Sequence, residues 1–421
     1  MLLKNKNIAL FVTGSIAIYK SIELIRLYIK AGANVKVIMS ASAKRFIGPL
    51  TFETISKNIV LCDESENWSE INANNHISMA KWANIAIIAP ATANTINSLA
   101  NGMANNILLQ TLLAYDGEKI ICPSANTKML DNHITKANLK MLQVCGYDII
   151  NPVVKELACG DVGAGAMADI EAIYHKTVRV ILSNDYFKHR KVVVSGGATI
   201  ERIDDMRYIS NFSSGKMANS MATALYYMGA DVCLVHGKLS QKLHINDIHQ
   251  IEVENTRQMN EYVVDCIKVA KKGVVTKPTL VSEGRNIKKT PYFFSISAVS
   301  DFSPKYPQQG KIKKQNIDKI WNIELEKNID ILKNLNKDGI HTIGFKAEFD
   351  KNSAVSQAKN MLQNKNLSAV CLNILDKNNL NQETNTIEIF TTSGKTIKLP
   401  TNDKLNLSLD ILSFLQASIS E

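Results

Sequence analysis

The chain has 421 residues, more than one domain of ordinary size holds, so about two or three domains are expected. Its 45% hydrophobic and 21% charged content is that of a soluble globular protein. No run of about 18 apolar residues argues for a transmembrane helix, and the start, MLLKNKNIALFVTGS, enters a strand-like run without a cleavage site, which argues against a signal peptide. The net charge of +10 suggests anionic partners. The lysines are spread out, with only KIKK and AKKG locally dense, so nucleic acid is not expected as the main partner, and phosphorylated small molecules would serve equally well; no membrane partner is expected.

Seven cysteines stand at 62, 122, 145, 159, 233, 266 and 371, without a C-x-x-C pair. This pattern predicts free thiols in a reducing cytoplasm, with no disulfide framework or zinc site. The eight histidines show no metal-ligand spacing, and no metal ligands are expected.

In chain order, NIALFVTG (7–14) predicts a buried strand, AIYKSIELIRLYIKAG (17–32) an amphipathic helix closed by Gly32, and NVKVIMS (34–40) a second strand. NIAIIAP (84–90), KIICPS (119–124) and YDIINP (147–152) predict further strands, with helical stretches between them. A helix over DIEAIYHKTVRVILS (169–183) closes a first domain, 1–183. NDYFKHR (184–190) reads as a linker, and KVVVSGGA (191–198) opens a second domain, 191–421. That domain is expected to hold a helix in SGKMANSMATALYYMGA, strands in DVCLVHG, FFSISAVSDF, HTIGFKAEF and LSAVCLNIL, a hairpin in TIEIFTTSGKTIKLP, and a terminal helix. The fold class is therefore α/β, with two doubly wound domains. KKGVVTKPTLVSEGRNIKKTPYFF (271–294) reads as a surface insertion.

TGSIAIYK (13–20) places Gly14 and Ser15 where backbone N–H groups and a hydroxyl meet a phosphate at a helix N-terminus. G-x-G-x-x-G is missing, so a mononucleotide such as FMN fits better than NAD, and a plain strand-to-helix turn fits as well. SSGKM (213–217) is not a P-loop, because position 210 is Ser and position 217 is Met. In APATANTINSLANGMANN (89–106), small residues allow close approach of a flat ring or phosphate, while Thr92 or Asn94 also suits a helix cap.

The ordered set GSIAIYK, HISMAKWANIAIIAPATANT, PSANTKM, ACGD, ERIDDMRYISNFSSGKM, AVSDF and KIKK resembles one family along nearly the whole chain. It is that of the bifunctional coenzyme A biosynthesis flavoproteins, phosphopantothenoylcysteine decarboxylase fused to phosphopantothenate–cysteine ligase. The resemblance implies two Rossmann-like domains. The C-terminal one would activate 4′-phosphopantothenate with CTP and magnesium as an acyl-cytidylate, from which the amine of cysteine displaces CMP. The N-terminal one would use FMN to oxidise the cysteinyl thiol to a thioaldehyde, lose carbon dioxide, take the hydride back and add a proton, giving 4′-phosphopantetheine. It also implies a homo-oligomer, a dodecamer with FMN sites between subunits.

By this resemblance, His76, Asn126, Cys159, Asn211 and Lys311 are catalytic, and Gly14, Ser15, Ser40, Pro90, Thr92, Asn94, Met103 and Ala104 bind FMN. Asp301, Lys311, Asn328, Ile329, Asp330, Ile331, Phe345 and Lys365 would bind the nucleotide, and Asn126, Arg207 and Asn211 the substrate. His76 would open a helix, where the N-terminus disfavours an imidazolium and a neutral ring acts as base or orients a carboxylate; a capping-region histidine in water is the other reading. Asn126 suits a carboxylate or amide, and also a helix N-cap. Cys159 would protonate the enethiolate from a glycine-rich flap, with Gly160, Gly163 and Gly165 letting it close; a free loop thiol is the alternative. Gly197, Thr199, Glu201, Asp204 and Arg207 match a family motif, in which Arg207 suits a phosphate or carboxylate; a solvated salt-bridged loop is the alternative. Asp301 would stand at a strand's carboxyl end, and Lys311, with Lys313 and Lys314 beside it, would meet the triphosphate. The chain departs from the family at Ser124, Ala125, Asp205, Ala218 and Met361, where Asp205 replaces a common Pro, Ala218 a common Gly and Met361 a frequent Lys.

Overall fold

Strand β1 (Asn7–Val12) has every residue after Asn7 buried, and β3 (Ile85–Ala91) is buried throughout. Such continuous apolar runs pack only where both faces of a sheet are covered. In the computed structural model, which describes residues 1–69, 73–157, 160–280, 283–313, 320–374 and 382–419, both runs are central strands of a parallel sheet. With β2 (Asn34–Met39), β4 (Lys119–Pro123) and β5 (Tyr147–Ile149), the order is β2-β1-β3-β4-β5. Helix α1 (Ile18–Lys30) turns Ile18, Leu24, Ile25 and Tyr28 inward, at the 3.6-residue period of an amphipathic helix. α2 (His76–Trp82), α3 (Ala93–Ala100), α4 (Thr127–Asp131) and α5 (Ile170–Leu182) follow. The Tyr28 hydroxyl bonds Thr177 Oγ1 at 2.7 Å, joining α1 to α5.

Between β5 and α5 the glycine-rich segment forms an antiparallel hairpin of β6 (Val153–Glu156) and β7 (Val162–Ala166). A Cβ on Gly165 would lie 2.3 Å from the Ala125 carbonyl oxygen. This glycine thus serves close packing against the segment that carries Asn126, which differs from the expected hinge.

The second sheet contains β8 (Lys191–Gly196), β11 (Asp231–His236) and β12 (His249–Glu252), preceded in part by a small hairpin of β9 (Glu201–Arg202) and β10 (Tyr208–Ile209). α6 (Lys216–Tyr227) and α7 (Thr256–Ala270) cover it. After the short antiparallel pair β13 (Val274–Val275) and β14 (Asn286–Ile287) comes β15 (Tyr292–Ser295). A second short pair, β16 (Phe302–Pro304) with β17 (Leu325–Lys327), precedes β18 (His341–Glu348), α8 (Lys351–Asn364) and β19 (Ala369–Ile374). The hairpin β20 (Ile387–Thr391) and β21 (Thr396–Lys398) and helix α9 (Lys404–Ser418) end the described chain. The sheet order is β12-β11-β8-β15-β18-β19-β20-β21, parallel up to β19 and antiparallel beyond. Its six parallel strands follow the doubly wound order 3-2-1-4-5-6. Ala218 fits where the family commonly has Gly because it faces Gly196, whose missing side chain leaves the room: a Cβ there would be 2.4 Å from the Ala218 Cβ.

Three stretches gain detail that the sequence did not supply. The stretch 184–190, read as a linker, is packed into the protein. Phe187 and Arg190 are fully buried; the Arg190 guanidinium donates to the Tyr186 and Thr290 carbonyls at 3.0 and 2.6 Å and lies 4.2 Å from the Tyr186 ring centre. Paired carbonyls and aromatic faces let a charged residue sit inside. The insertion is a hairpin, and Thr276–Arg285 groups with Met1–Leu182 as one compact unit, while Ser183–Val275 and Asn286–Glu421 form the other. Finally, β15 ends at Ser295, so Asp301 lies in the loop beyond the strand rather than at its end. No helix of the described residues is long and apolar enough to cross a membrane.

Candidate functional site

A doubly wound sheet opens a crevice where the strand order reverses, in the first unit between β1 and β3. Gly14 and Ser15 leave β1 there, Ser40 leaves β2, Pro90 stands in the last residues of β3, and Thr92 leaves it. A Cβ on Gly14 would meet Ser42 Oγ at 2.6 Å, so only glycine lets the two turns approach. Thr13, which sequence reasoning missed, joins the two sides: its buried hydroxyl donates to the Pro90 carbonyl at 2.6 Å and accepts the Thr92 N–H at 3.1 Å. Ser124 does the same toward the next turn, its hydroxyl 3.0 Å from Ser15 Oγ. Thr92 caps α3, accepting the Thr95 N–H, and Asn94 is exposed inside the helix. Met103 and Ala104 are exposed past the far end of α3, about 12 Å along the helix from Thr92.

His76 begins α2, as expected, behind an Asn75–Ser78 capping box. Its Nδ1 lies 2.8 Å from Glu66 Oε1, and Trp68 stands edge-on at 5.4 Å. A carboxylate oxygen only accepts, so in this contact Nδ1 is the donating nitrogen. The sequence offered no signal for Glu66, ten residues upstream in a segment without periodicity. Asn126 caps α4, its Oδ1 accepting the Lys128 N–H at 2.9 Å. Beside it, the buried Thr127 hydroxyl has no hydrogen-bond partner among the described residues. Cys159 lies outside the described residues; of the described residues beside it, Leu157 N–H bonds Asp161 O and Gly160 N–H bonds Leu157 O, both at 2.8 Å.

In the second unit, the residues of the 197–207 motif act mainly as braces. Thr199 Oγ1 accepts the Ser300 N–H at 3.0 Å. Glu201 accepts both the N–H and the hydroxyl of Thr256 and so caps α7. Asp204 is buried, not solvated. One oxygen takes the N–H groups of Met206 and Arg207, and the other takes the Arg207 guanidinium at 2.6 Å and the Ile312 N–H at 3.2 Å. Burial pushes this carboxyl up, but the bonds from Arg207, Met206 and Ile312 outweigh it and hold it at about 2. Arg207 also donates to the Ile312 carbonyl at 2.8 Å and stacks on Trp321 at 4.4 Å. It is therefore bound to protein here instead of presenting an open fork to a ligand. Asp205, at the common proline position, accepts the Gly310 N–H at 2.8 Å. The pair Asp204–Asp205 thus ties the loop carrying Lys311 to the β9–β10 hairpin.

A cavity of about 750 Å³ collects Asp301, Asn328, Ile329, Asp330, Ile331, Phe345 and Lys365. Asn211 is anchored nearby, its amide donating to the Val299 carbonyl at 2.8 Å. Lys311 lines a separate groove with Ile203, Lys313 and Trp321; Lys314 lies outside the described residues. The Asn328 amide donates to the Ser300 carbonyl and its N–H to the Asp301 carbonyl, both at 2.9 Å, fixing the Asp301 loop. Lys365 pairs with Asp330 at 2.8 Å. Burial raises the Asp330 carboxyl, but Lys365 leads the interactions that hold it below its ordinary value. Lys346, missed although it follows Phe345 directly, lines the cavity and pairs with Glu348 at 2.7 Å. Met361, where the family often has Lys, gives the wall an apolar surface.

Comparison with known proteins matches residues 2–182 to the family described as Flavoprotein and residues 187–418 to the DNA/pantothenate metabolism flavoprotein C-terminal domain. The coenzyme A biosynthesis bifunctional protein CoaBC of Bacillus subtilis is 35% identical over 99% of this chain and 98% of its own. Its counterpart in Haemophilus influenzae is 34% identical over 98% of each. A crystal structure of the C-terminal domain of a coenzyme A biosynthesis bifunctional protein CoaBC, 25% identical, covers 56% of this chain and 97% of that one with a TM-score of 0.43.

The Asp204 geometry predicts a pH signature. A carboxyl held below its unfolded value stabilises the fold above about pH 4 and loses that contribution as pH falls through about 2. Asp204→Asn should therefore lower the urea midpoint of unfolding at neutral pH, with the gap to wild type narrowing as the pH is lowered below about 4. A gap independent of pH would contradict a charged Asp204 hub.

Proposed function

The chain belongs to the family of bifunctional coenzyme A biosynthesis proteins, and from this premise we propose how its own residues divide the two reactions. It carries phosphopantothenoylcysteine decarboxylase and phosphopantothenate–cysteine ligase activities. The observation that supports this best is the match of both halves, in order, to relatives of the same length.

In the first unit, the β1/β3 crevice suits FMN. Hydroxyls of Ser15, Ser40 and Thr92 leave adjacent strand ends, and α1 begins directly behind Gly14 and Ser15, where the helix N-terminus favours a phosphate. FMN would supply the two-electron oxidation and reduction of the substrate. Glu66 holds the Nδ1 proton of His76, so Nε2 would receive the proton of the cysteinyl thiol. Asn126 would orient the substrate carboxylate, and Cys159 would deliver the final proton. Met103 and Ala104 would serve a neighbouring copy's flavin, which favours the dodecameric assembly.

In the second unit, the cavity around Asp301, Phe345 and Lys365 would hold CTP, with magnesium on its phosphate oxygens. Lys311, positioned through Asp204 and Asp205, would neutralise charge on the departing pyrophosphate. Arg207 would meet the substrate phosphate by exchanging part of its present protein bonds, and Asn211 would bind the acyl-cytidylate. The free thiols fit work in a reducing cytoplasm.

Incubation of the purified protein with 4′-phosphopantothenate, cysteine, CTP and magnesium should yield 4′-phosphopantetheine by mass; accumulation of phosphopantothenoylcysteine would mean a silent first unit. Cys159→Ser should still release carbon dioxide but accumulate an oxidised enethiol product, and normal phosphopantetheine yield would refute the acid role. Lys311→Gln should abolish pyrophosphate release from CTP while decarboxylation of supplied phosphopantothenoylcysteine continues. Undiminished pyrophosphate release would remove Lys311 from the reaction.

A further inference from the structure

The two reactions leave unused a pair of thiols in the second unit. Cys233 lies on β11 and Cys266 on α7, and their sulfurs are 3.4 Å apart. Both side chains are half-buried and pack on the edge of the same apolar core. By contrast, Cys62, Cys122 and Cys371 are buried. A disulfide needs its sulfurs about 2 Å apart, so closure takes roughly 1.4 Å of relative movement.

We propose that Cys233 and Cys266 form a reversible disulfide on reaction with a low-molecular-weight disulfide, a modification site separate from both active centres. The hydrogen bond shared by the two sulfurs lowers the Cys266 thiol below its ordinary value and, with burial, raises Cys233. In the proposed order of steps Cys266 is the attacking sulfur. Its thiolate displaces one thiolate from the small disulfide and forms a mixed disulfide. Cys233 then gives up its proton, attacks Cys266 Sγ and expels the second small thiolate. Two protein thiols are oxidised, and one small disulfide is reduced to two thiols.

The new bond would join residues 33 apart in sequence and fasten α7 to β11. It limits the unfolded chain more than the folded one, so the oxidised second unit should melt at a higher temperature. α7 is also the helix whose first residue, Thr256, is held by Glu201 and lies 3.4 Å from the Asn328 amide at the cavity. The fastening therefore acts on an element that supports the nucleotide cavity without occupying it.

The test treats the full-length protein with oxidised glutathione and maps the cysteines by peptide mass. The expected result is a Cys233–Cys266 crosslinked peptide that dithiothreitol removes, a loss of two titratable thiols from this pair, and a raised melting temperature. Cys233→Ser should instead retain glutathione on Cys266, and Cys266→Ser should yield neither product. The proposal fails if both thiols stay free while the exposed Cys145 is modified. It also fails if wild-type Cys266 keeps its glutathione, since the sulfurs would then be unable to close.

Discussion

A parallel strand cannot return through a tight turn; it must cross back over the sheet, usually through a helix. Every strand of such a sheet therefore delivers its following loop to the same edge. Where the order reverses, neighbouring crossovers lie on opposite faces and the loops part. This constraint acts twice in the chain. In the first unit it brings Ser15 and Thr92 to one edge, and in the second it places the Ser295–Asp301 loop beside Phe345. Thr13 shows how tightly that edge is held: one buried hydroxyl satisfies a carbonyl and an N–H on the opposite strand.

In the second unit, much of the polar motif is spent on holding loops. Thr199, Glu201, Asp204 and Asn328 each satisfy backbone groups of a different segment. Buried backbone N–H groups need partners, and long irregular loops cannot supply them through a ladder. Carboxylates and amides therefore do at these loops what strands do elsewhere. A motif residue at an active-site edge can thus be indispensable without touching a substrate.

The helices and strands were legible in the sequence because their apolar periods are long and unbroken, as in α1 and β3. His76 at a helix start was legible from the Asn residues before it. Glu66 was not, because the nine residues between them follow no period. The packing of the 184–190 stretch was not legible at Arg190, since composition cannot show that aromatic rings and carbonyls will surround a charged side chain. Asp301 was placed too near its strand because the run FFSISAVSDF is apolar enough to continue a strand. Past Ser295 the Ile296 and Ala298 N–H groups bond the Ser195 and Gly197 carbonyls and the Ser297 hydroxyl meets Ser195 Oγ at 2.9 Å, before the chain turns away to Asp301. The grouping of Asp301 with Phe345 and Lys365 followed from motif order. The separation of Lys311 into another groove is a matter of loop path, which periodicity does not record.

The cations of the second cavity are already matched with carboxylates, Lys365 with Asp330 and Lys346 with Glu348. An incoming singly charged anion would only exchange one carboxylate for another and gain little after losing its own water. A ligand carrying several negative charges on closely spaced oxygens offers each ammonium more than the resident carboxylate does. The internal pairs therefore weight the cavity toward a polyanionic occupant over a simple carboxylate.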